Sequence, residues 1–124
     1  MEKIIRDLLD NFEGVSYIDC EDSGEGRLFS ASVDYLDTLD FDEEIYKEWE
    51  ELLNSIEVIG ENYQIYCSYD CSGFDYWNNR QEESNYTYID IWLSDNFSDE
   101  DINKLYNSLV EVYNKIDNFY FKYF

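Results

Sequence analysis

The chain has 124 residues, with 30 Asp and Glu against 8 Lys and Arg, no His, no Pro and a formal net charge of −22. The lack of histidine excludes a Ser-His-Asp triad and an imidazole zinc site, and the scarcity of Lys and Arg disfavours direct contact with nucleic-acid phosphates. About 27% of the residues are Leu, Ile, Val or Phe, which predicts a folded domain rather than an acidic disordered tail.

The first part of the chain predicts one helix followed by a β-hairpin. In residues 2–13 the apolar side chains recur at helical spacing and form a single stripe. Gly14 follows, and glycine is the residue type that commonly ends a helix. Residues 15–19 and 28–33 are rich in strand-forming side chains, and the polar loop 21–26 between them favours an antiparallel hairpin.

The rest of the chain predicts two more helices and two more strands. Residues 42–55 place their apolar side chains on one side of a helix. The alternating run 63–69 and the run 86–93, which is dense in β-forming residues, predict strands separated by the loop 70–84. A long final helix is predicted over residues 102–120 by its apolar spacing.

These elements predict a single acidic α+β domain that spans residues 1–124. The order is α-β-β-α-β-β-α, and strands joined in hairpins predict a four-stranded, mostly antiparallel sheet packed with three helices on one face. Ser98 and Asp101 have the spacing of a capping box before the last helix, with Asp in place of the usual Glu or Gln. The apolar tail 119–124 is expected to dock on the domain.

The net charge is larger than solubility requires, because a small domain needs a magnitude of only about 2–8. Repulsion on this scale destabilises the compact state. Three explanations are available: adaptation to high salt, calcium binding, or a strongly basic partner such as the DNA- or RNA-binding groove of another protein. The chain is rich in Ile, Asn and Tyr and poor in Ala, which argues against salt adaptation, and we favour the basic partner.

The densest acidic segment, residues 34–51, holds nine carboxylates and one cation. Carboxylates one helical turn apart are separated by about 6 Å of rise, and those three residues apart in an extended chain by about 10 Å. Both spacings can meet Lys and Arg side chains that are placed to grip phosphates. We predict that the partner-binding carboxylates are Asp34, Asp37, Asp40, Asp42, Glu43, Glu44, Glu48 and Glu51.

The loop between the third and fourth predicted strands is rich in aromatic residues. Phe74, Tyr76 and Trp77 are predicted to bind the partner if they are exposed, because Trp and Tyr are common interface anchors. Tyr66 and Tyr69 lie nearby in the sequence. The same side chains could equally close a small core. In an interface, the carboxylates would govern the association rate, while the aromatic residues would slow dissociation.

The sequence predicts neither a metal site nor a catalytic site. An EF-hand loop that begins at Asp19 would need Glu at its twelfth position, where Ser30 stands. Paired carboxylates could hold Mg²⁺, but a phosphodiester substrate would meet the net negative charge without a cationic cradle. Cys20, Cys67 and Cys71 make a poor zinc set without His. They are expected to be reduced thiols, with Cys67 in the core and Cys71 in a loop.

The chain resembles the small acidic inhibitors that phages and mobile elements make against host nucleases, the anti-CRISPR and anti-restriction proteins, several of which mimic DNA. The resemblance lies in size, charge, the lack of a targeting signal, and aromatic residues interleaved with Asp and Glu in residues 34–51 and 63–92. It rests on no motif, so no residue role is transferred. It implies a non-catalytic inhibitor without cofactors that occludes a basic nucleic-acid-binding site, and a CRISPR effector is the first candidate for its target.

Two other functions remain open at this point. An immunity protein or antitoxin that neutralises a basic nuclease toxin would use the same electrostatics, and a calcium- or magnesium-binding module is the third possibility. In the inhibitor hypothesis the protein acts in the cytoplasm of an infected or prophage-carrying bacterium. A homodimer through the exposed side of the sheet or the tail 119–124 is possible, and no membrane contact is expected, because no long apolar run is present.

Overall fold

The protein is described by a computed structural model that covers residues 2–37, 42–56, 62–71, 74–75, 80–81 and 85–124. At residues 37, 68–71, 74–75, 80–81 and 85–86 it describes the backbone alone.

The fold is an α+β single domain, as the sequence predicts. Its helices are α1 (Glu2–Asp10), α2 (Glu43–Ser55) and α3 (Asp101–Tyr123). Its strands are β1 (Val15–Ser23), β2 (Gly26–Asp37), β3 (Tyr63–Cys71), β4 (Phe74–Asp75), β5 (Arg80–Gln81) and β6 (Asn85–Ser94). Strands β1, β2, β6 and β3 form one antiparallel sheet in that spatial order, while β4 and β5 pair only with each other.

One face of the four-stranded sheet packs against the helices and forms the core. Alternate residues of the two central strands, such as Phe29 and Ile91, are fully buried, as side-chain alternation along a strand requires. The Tyr63 hydroxyl lies 3.1 Å from the Ser108 hydroxyl, which ties β3 to α3. The Tyr17 hydroxyl donates to Glu2 at 2.6 Å, which ties β1 to α1. The opposite face of the sheet carries no helix among the described residues.

The hairpin of β1 and β2 has longer strands and a shorter turn than the sequence indicates. The predicted six-residue loop 21–26 is wrong, because both strands continue to the Ser23–Gly26 pair and leave a two-residue turn. Gly24 opens that turn with φ of +64°, the backbone region that tight hairpin turns need and that glycine adopts without a steric penalty. The segment was predicted to be a loop because it is polar; the strand residues in it are mostly exposed and show no alternation of apolar side chains.

A second correction concerns the predicted loop 70–84. The strand β3 continues to Cys71, so the backbone of this cysteine lies in a strand rather than in a loop. The short ladder between β4 and β5 interrupts the remainder of the segment. Two-residue strands carry too little periodicity to be recognised in a sequence.

The first helix ends earlier than the predicted residue 13, and Gly14 completes the turn that follows it. Gly14 has φ of +76°, and a Cβ atom there would lie 2.5 Å from Cδ1 of Tyr35. Glycine is therefore required here both for its backbone conformation and for the close approach of the Tyr35 ring. This contact brings the start of β1 against β2, where the Asp34 N–H donates to the Gly14 carbonyl at 2.8 Å.

Of the predicted capping box, the bond from the Ser98 N–H to Asp101 forms, but the N-cap of α3 is Glu100, which makes no side-chain cap bond. The Ser98 N–H and hydroxyl both donate to Oδ2 of Asp101 at 3.0 Å. These bonds, of which the backbone bond has the largest effect, lower the pKa of Asp101.

The prediction that the tail 119–124 docks on the domain is only partly right: Phe119 is buried, but Phe121 and Phe124 are 73% and 50% exposed. Within the described ranges, no helix has both the length and the apolar character needed to cross a membrane.

Alkaline pH is expected to destabilise the fold through Tyr35. Burial raises the pKa of Tyr35, and its 2.9 Å hydrogen bond to Asp117 raises it further. Because the folded pKa lies above the unfolded value of about 10, the stabilisation is complete below that pH and is lost as pH rises beyond it. Tyr35→Phe should lower the free energy of unfolding at neutral pH by about 1 kcal/mol and flatten its decline at alkaline pH. Urea unfolding at neutral pH and at several alkaline pH values measures both effects. If the free energy of unfolding fell equally with pH in both proteins, Tyr35 would not be the group responsible.

Candidate acidic interface

The described carboxylates of the predicted acidic segment do not share one surface. The carboxylate of Asp34 accepts hydrogen bonds from Ser16 at 2.5 Å and from Ser32 at 2.6 Å, and both serines alternate with core residues on their strands. Asp34 therefore lies on the side of the sheet away from the helices. The α2 glutamates lie on the helical side, because Trp49 of that helix packs against Phe119 of α3. The sheet separates two groups that are close in sequence.

Asp42 has a structural role that the sequence prediction missed. Its Oδ1 atom accepts a hydrogen bond from the Ile45 N–H at 2.8 Å, which makes Asp42 the N-cap of α2. A capping side chain satisfies a backbone donor that the helix leaves unpaired. The spacing of Asp42 before the apolar stripe of α2 is the signal that could have revealed this role.

The outward side of α2 is the densest described group of predicted site residues. Glu43, Glu44, Glu50 and Glu51 are all exposed, with Lys47 as the cation among them. We call these four glutamates the α2 acidic face. Glu50 belongs to this face although the prediction did not select it. Glu43 and Glu44 also lie in the first turn of the helix, where negative charge interacts favourably with the helix dipole.

Glu48 does not belong to the α2 acidic face, contrary to the prediction. It is half-buried, and its Oε1 atom lies 2.7 Å from Nζ of Lys122 on α3. This ion pair bridges the two helices and neutralises the carboxylate. The Glu48 side chain lies toward α3 because α2 packs against α3 on that side. The spacing of the acidic residues in the sequence does not reveal which side this is.

Five predicted residues cannot be placed as side chains in the interface. Asp40, Tyr76 and Trp77 lie outside the described residues. Asp37 closes the backbone of β2, and Phe74 opens that of β4. The aromatic loop as a partner-binding element therefore stays a prediction.

A second acidic surface lies at one end of the sheet. The turn of the β1–β2 hairpin contacts the turn after β6, where the Asp95 N–H donates to the Glu25 carbonyl at 2.8 Å. Glu25 and Asp95 are exposed on these two turns, Asp22 is exposed at the end of β1, and Asp99 and Glu100 are exposed just before α3. Arg27 lies 3.7 Å from Asp22 and supplies a cation there. The two turns are about 70 residues apart in sequence, and only strand pairing brings them together.

The face of the sheet opposite the helices carries two aromatic side chains that are not among the predicted partner-binding residues. Trp92 on β6 and Tyr66 on β3 lie on this face and, with Leu28, Gln64 and Ser23, line a shallow cavity of about 290 Å³. Tyr66 is 45% exposed. The Trp92 indole N–H donates to the Ser23 carbonyl at 3.2 Å, which orients the ring. We call this surface the open sheet face.

Charge is distributed unevenly over the described elements. Helix α2 carries five glutamates and one lysine, whereas α3 has three acids and three lysines and is neutral. Ion pairs between described residues join Arg6 to Glu2, Arg27 to Asp22 and Lys122 to Glu48. Most described carboxylates therefore face solvent without a bound cationic side chain.

No metal centre is formed by the part of the chain that the structure describes, since no three Cys, Asp or Glu side chains there are grouped to hold an ion. Cys20 is a half-buried thiol outside any disulfide, and burial raises its pKa, which disfavours the reactive thiolate. Comparison with known proteins gives no further assignment: no protein-family model, no curated protein and no solved structure matches the chain.

Proposed function

We propose that this protein is a non-catalytic inhibitor that occupies the basic nucleic-acid-binding groove of a defence nuclease, a CRISPR effector or a restriction enzyme. The observation that carries the proposal is the α2 acidic face, on which four exposed glutamates accompany one lysine in a chain of net charge −22. Such a surface attracts a groove lined with Lys and Arg and repels nucleic acid itself.

The spacing on α2 supports mimicry of a phosphate backbone. The residues of the pairs Glu43–Glu50 and Glu44–Glu51 are each seven apart, so each pair spans two helical turns on nearly the same side, with a rise of about 10.5 Å. A strand of duplex DNA likewise presents a row of negative charges, one for about every 3.4 Å of axis. The spacing of the carboxylates does not copy that row, but Lys and Arg side chains that line a phosphate-binding groove can contact both carboxylates of one pair.

The folded core makes the carboxylate array rigid. Trp49 holds α2 against α3, and the Glu48–Lys122 ion pair links the same two helices. A pre-organised surface loses less conformational entropy on binding than a disordered acidic tail would. The proposed targets are cytoplasmic, so the inhibitor acts in the cytoplasm of a bacterial host.

Competition for DNA tests the proposal. The purified protein is titrated into a panel of CRISPR effectors and restriction enzymes bound to labelled DNA, with poly-glutamate at matched negative charge as the control. We expect displacement of DNA from one nuclease at concentrations where poly-glutamate has no effect, and loss of displacement between about 50 and 500 mM salt. Equal potency with poly-glutamate on every nuclease, or inhibition of cleavage while DNA stays bound, would contradict the proposal.

A further inference from the structure

We infer that the open sheet face binds arginine side chains of the basic protein partner. The inference rests on the proposed function in one respect, since it assigns the partner's contact chemistry to a second surface of the same inhibitor. It differs from that proposal in its site: the open sheet face lies on the side of the sheet opposite the helices, whereas α2 packs on the helical side.

Strand pairing aligns the side chains of this face in rows. Leu28, Trp92 and Gln64 are direct neighbours across β2, β6 and β3. One row along, Asp90 is the neighbour of Tyr66. Directly paired residues point to the same face with Cβ atoms about 5 Å apart, so an indole, a phenol and an amide line one cavity, and a carboxylate lies in the next row of the same face.

The charges on this face are complementary to a cation. Its described side chains include Asp19, Glu21 and Asp90 but no Lys or Arg. Trp and Tyr rings attract a cation through the negative potential of their faces. An aromatic platform alone also stacks nucleic-acid bases, but the carboxylates on the same face of the sheet would repel the phosphates.

Arginine fits the cavity better than lysine does. The guanidinium is planar and weakly hydrated, so it stacks on a ring while its N–H groups donate to acceptors at the edge. Trp92 is fixed by its bond to Ser23, and the Tyr66 hydroxyl donates to Oε1 of Gln64, which orients both sides of the cavity. Lysine would gain the charge attraction without the stacking.

Two peptides separate stacking from charge. Calorimetric titrations with nona-arginine and nona-lysine at about 150 mM salt measure binding to the wild-type protein, to Tyr66→Ala and to Tyr106→Ala. Tyr106 is a matched control, because it is also an exposed tyrosine, at 37%, but lies on α3. We expect nona-arginine to bind about threefold more tightly than nona-lysine, and Tyr66→Ala but not Tyr106→Ala to abolish that difference.

A second variant and an NMR spectrum test the arginine site independently of Tyr66→Ala. Gln64→Lys places a cation in the cavity and should also abolish the preference for arginine. In a ¹⁵N–¹H spectrum, nona-arginine should shift the Trp92 indole signal. Equal affinities of wild-type protein for the two peptides, a preference that survives both variants, or tight binding of a uridine oligonucleotide that Tyr66→Ala abolishes would overturn the inference. So would a wild-type dimer that Tyr66→Ala dissociates.

These outcomes are distinguishable from failure of the proposed function. If DNA is displaced from a nuclease but the peptides bind alike, the inhibitor proposal stands and the arginine site is wrong. If the arginine preference is present and Tyr66-dependent but no nuclease releases DNA, the arginine site stands and its partner is a basic protein outside that class.

Discussion

Replacing Trp49 by alanine is expected to release α2 from the domain and to destabilise the whole chain. Trp49 is the buried residue of α2, with 0% exposure, and its ring centroid lies 5.3 Å from that of Phe119. Truncating a buried Trp costs about 3–5 kcal/mol. A domain has about 5–15 kcal/mol of stability in total, and repulsion among like charges lowers the stability of a chain with this net charge.

Chemical unfolding monitored by circular dichroism measures the loss, with Trp49→Phe as the control that keeps an aromatic ring against Phe119. We expect the control to retain most of the stability and Trp49→Ala to lose helical signal even without denaturant. High salt should restore part of that signal by screening the repulsion. An unchanged unfolding midpoint for Trp49→Ala would mean that α2 does not pack as described.

Reversing charge on the α2 acidic face is expected to abolish inhibition. The triple variant Glu44→Lys, Glu50→Lys, Glu51→Lys changes the net charge from −22 to −16. Each charge pair at contact distance contributes about 1 kcal/mol even at the dielectric of water. Reversing three charges replaces attraction by repulsion, so affinity for the target nuclease should fall at least about a hundredfold at low salt.

A control with the same charge separates position from net charge. Asp7→Lys, Asp10→Lys, Glu13→Lys also gives −16, but its residues are exposed on α1 and the turn after it. We expect this triple to lose only a small part of the affinity in the DNA-displacement assay. Equal losses in the two triples would show that overall charge, not the α2 acidic face, drives binding.

The sequence predicted the fold well because the apolar side chains of the core repeat at clear helical or strand spacing. Trp49 and its apolar neighbours repeat at helical spacing, and Ile89, Ile91 and Leu93 alternate along β6, so element types follow from local pattern. Strand ends were less predictable: β1 runs to Ser23 through residues that are mostly polar and exposed. Pairing with β2, rather than their own side chains, keeps these residues in a strand.

The site was predictable only in part. Glu44 and Glu51 follow from helical spacing once α2 is recognised, but the inward turn of Glu48 depends on where Lys122 lies 74 residues away. Asp34 was grouped with α2 by sequence proximity, although the sheet lies between them. Trp92 was not selected and Tyr66 was noted only as a neighbour of the aromatic loop, because alternation alone does not say which face of a strand the helices cover.

The amino-acid sequence by itself determined that this chain folds, in which element order, and with how much uncompensated negative charge. These properties depend on composition and on periods of a few residues. Tertiary structure alone decided which carboxylates share a surface, which are neutralised and which aromatic rings face solvent. Each of these depends on strand pairing and helix docking between residues far apart in the chain, where packing of the core, not local pattern, sets the geometry.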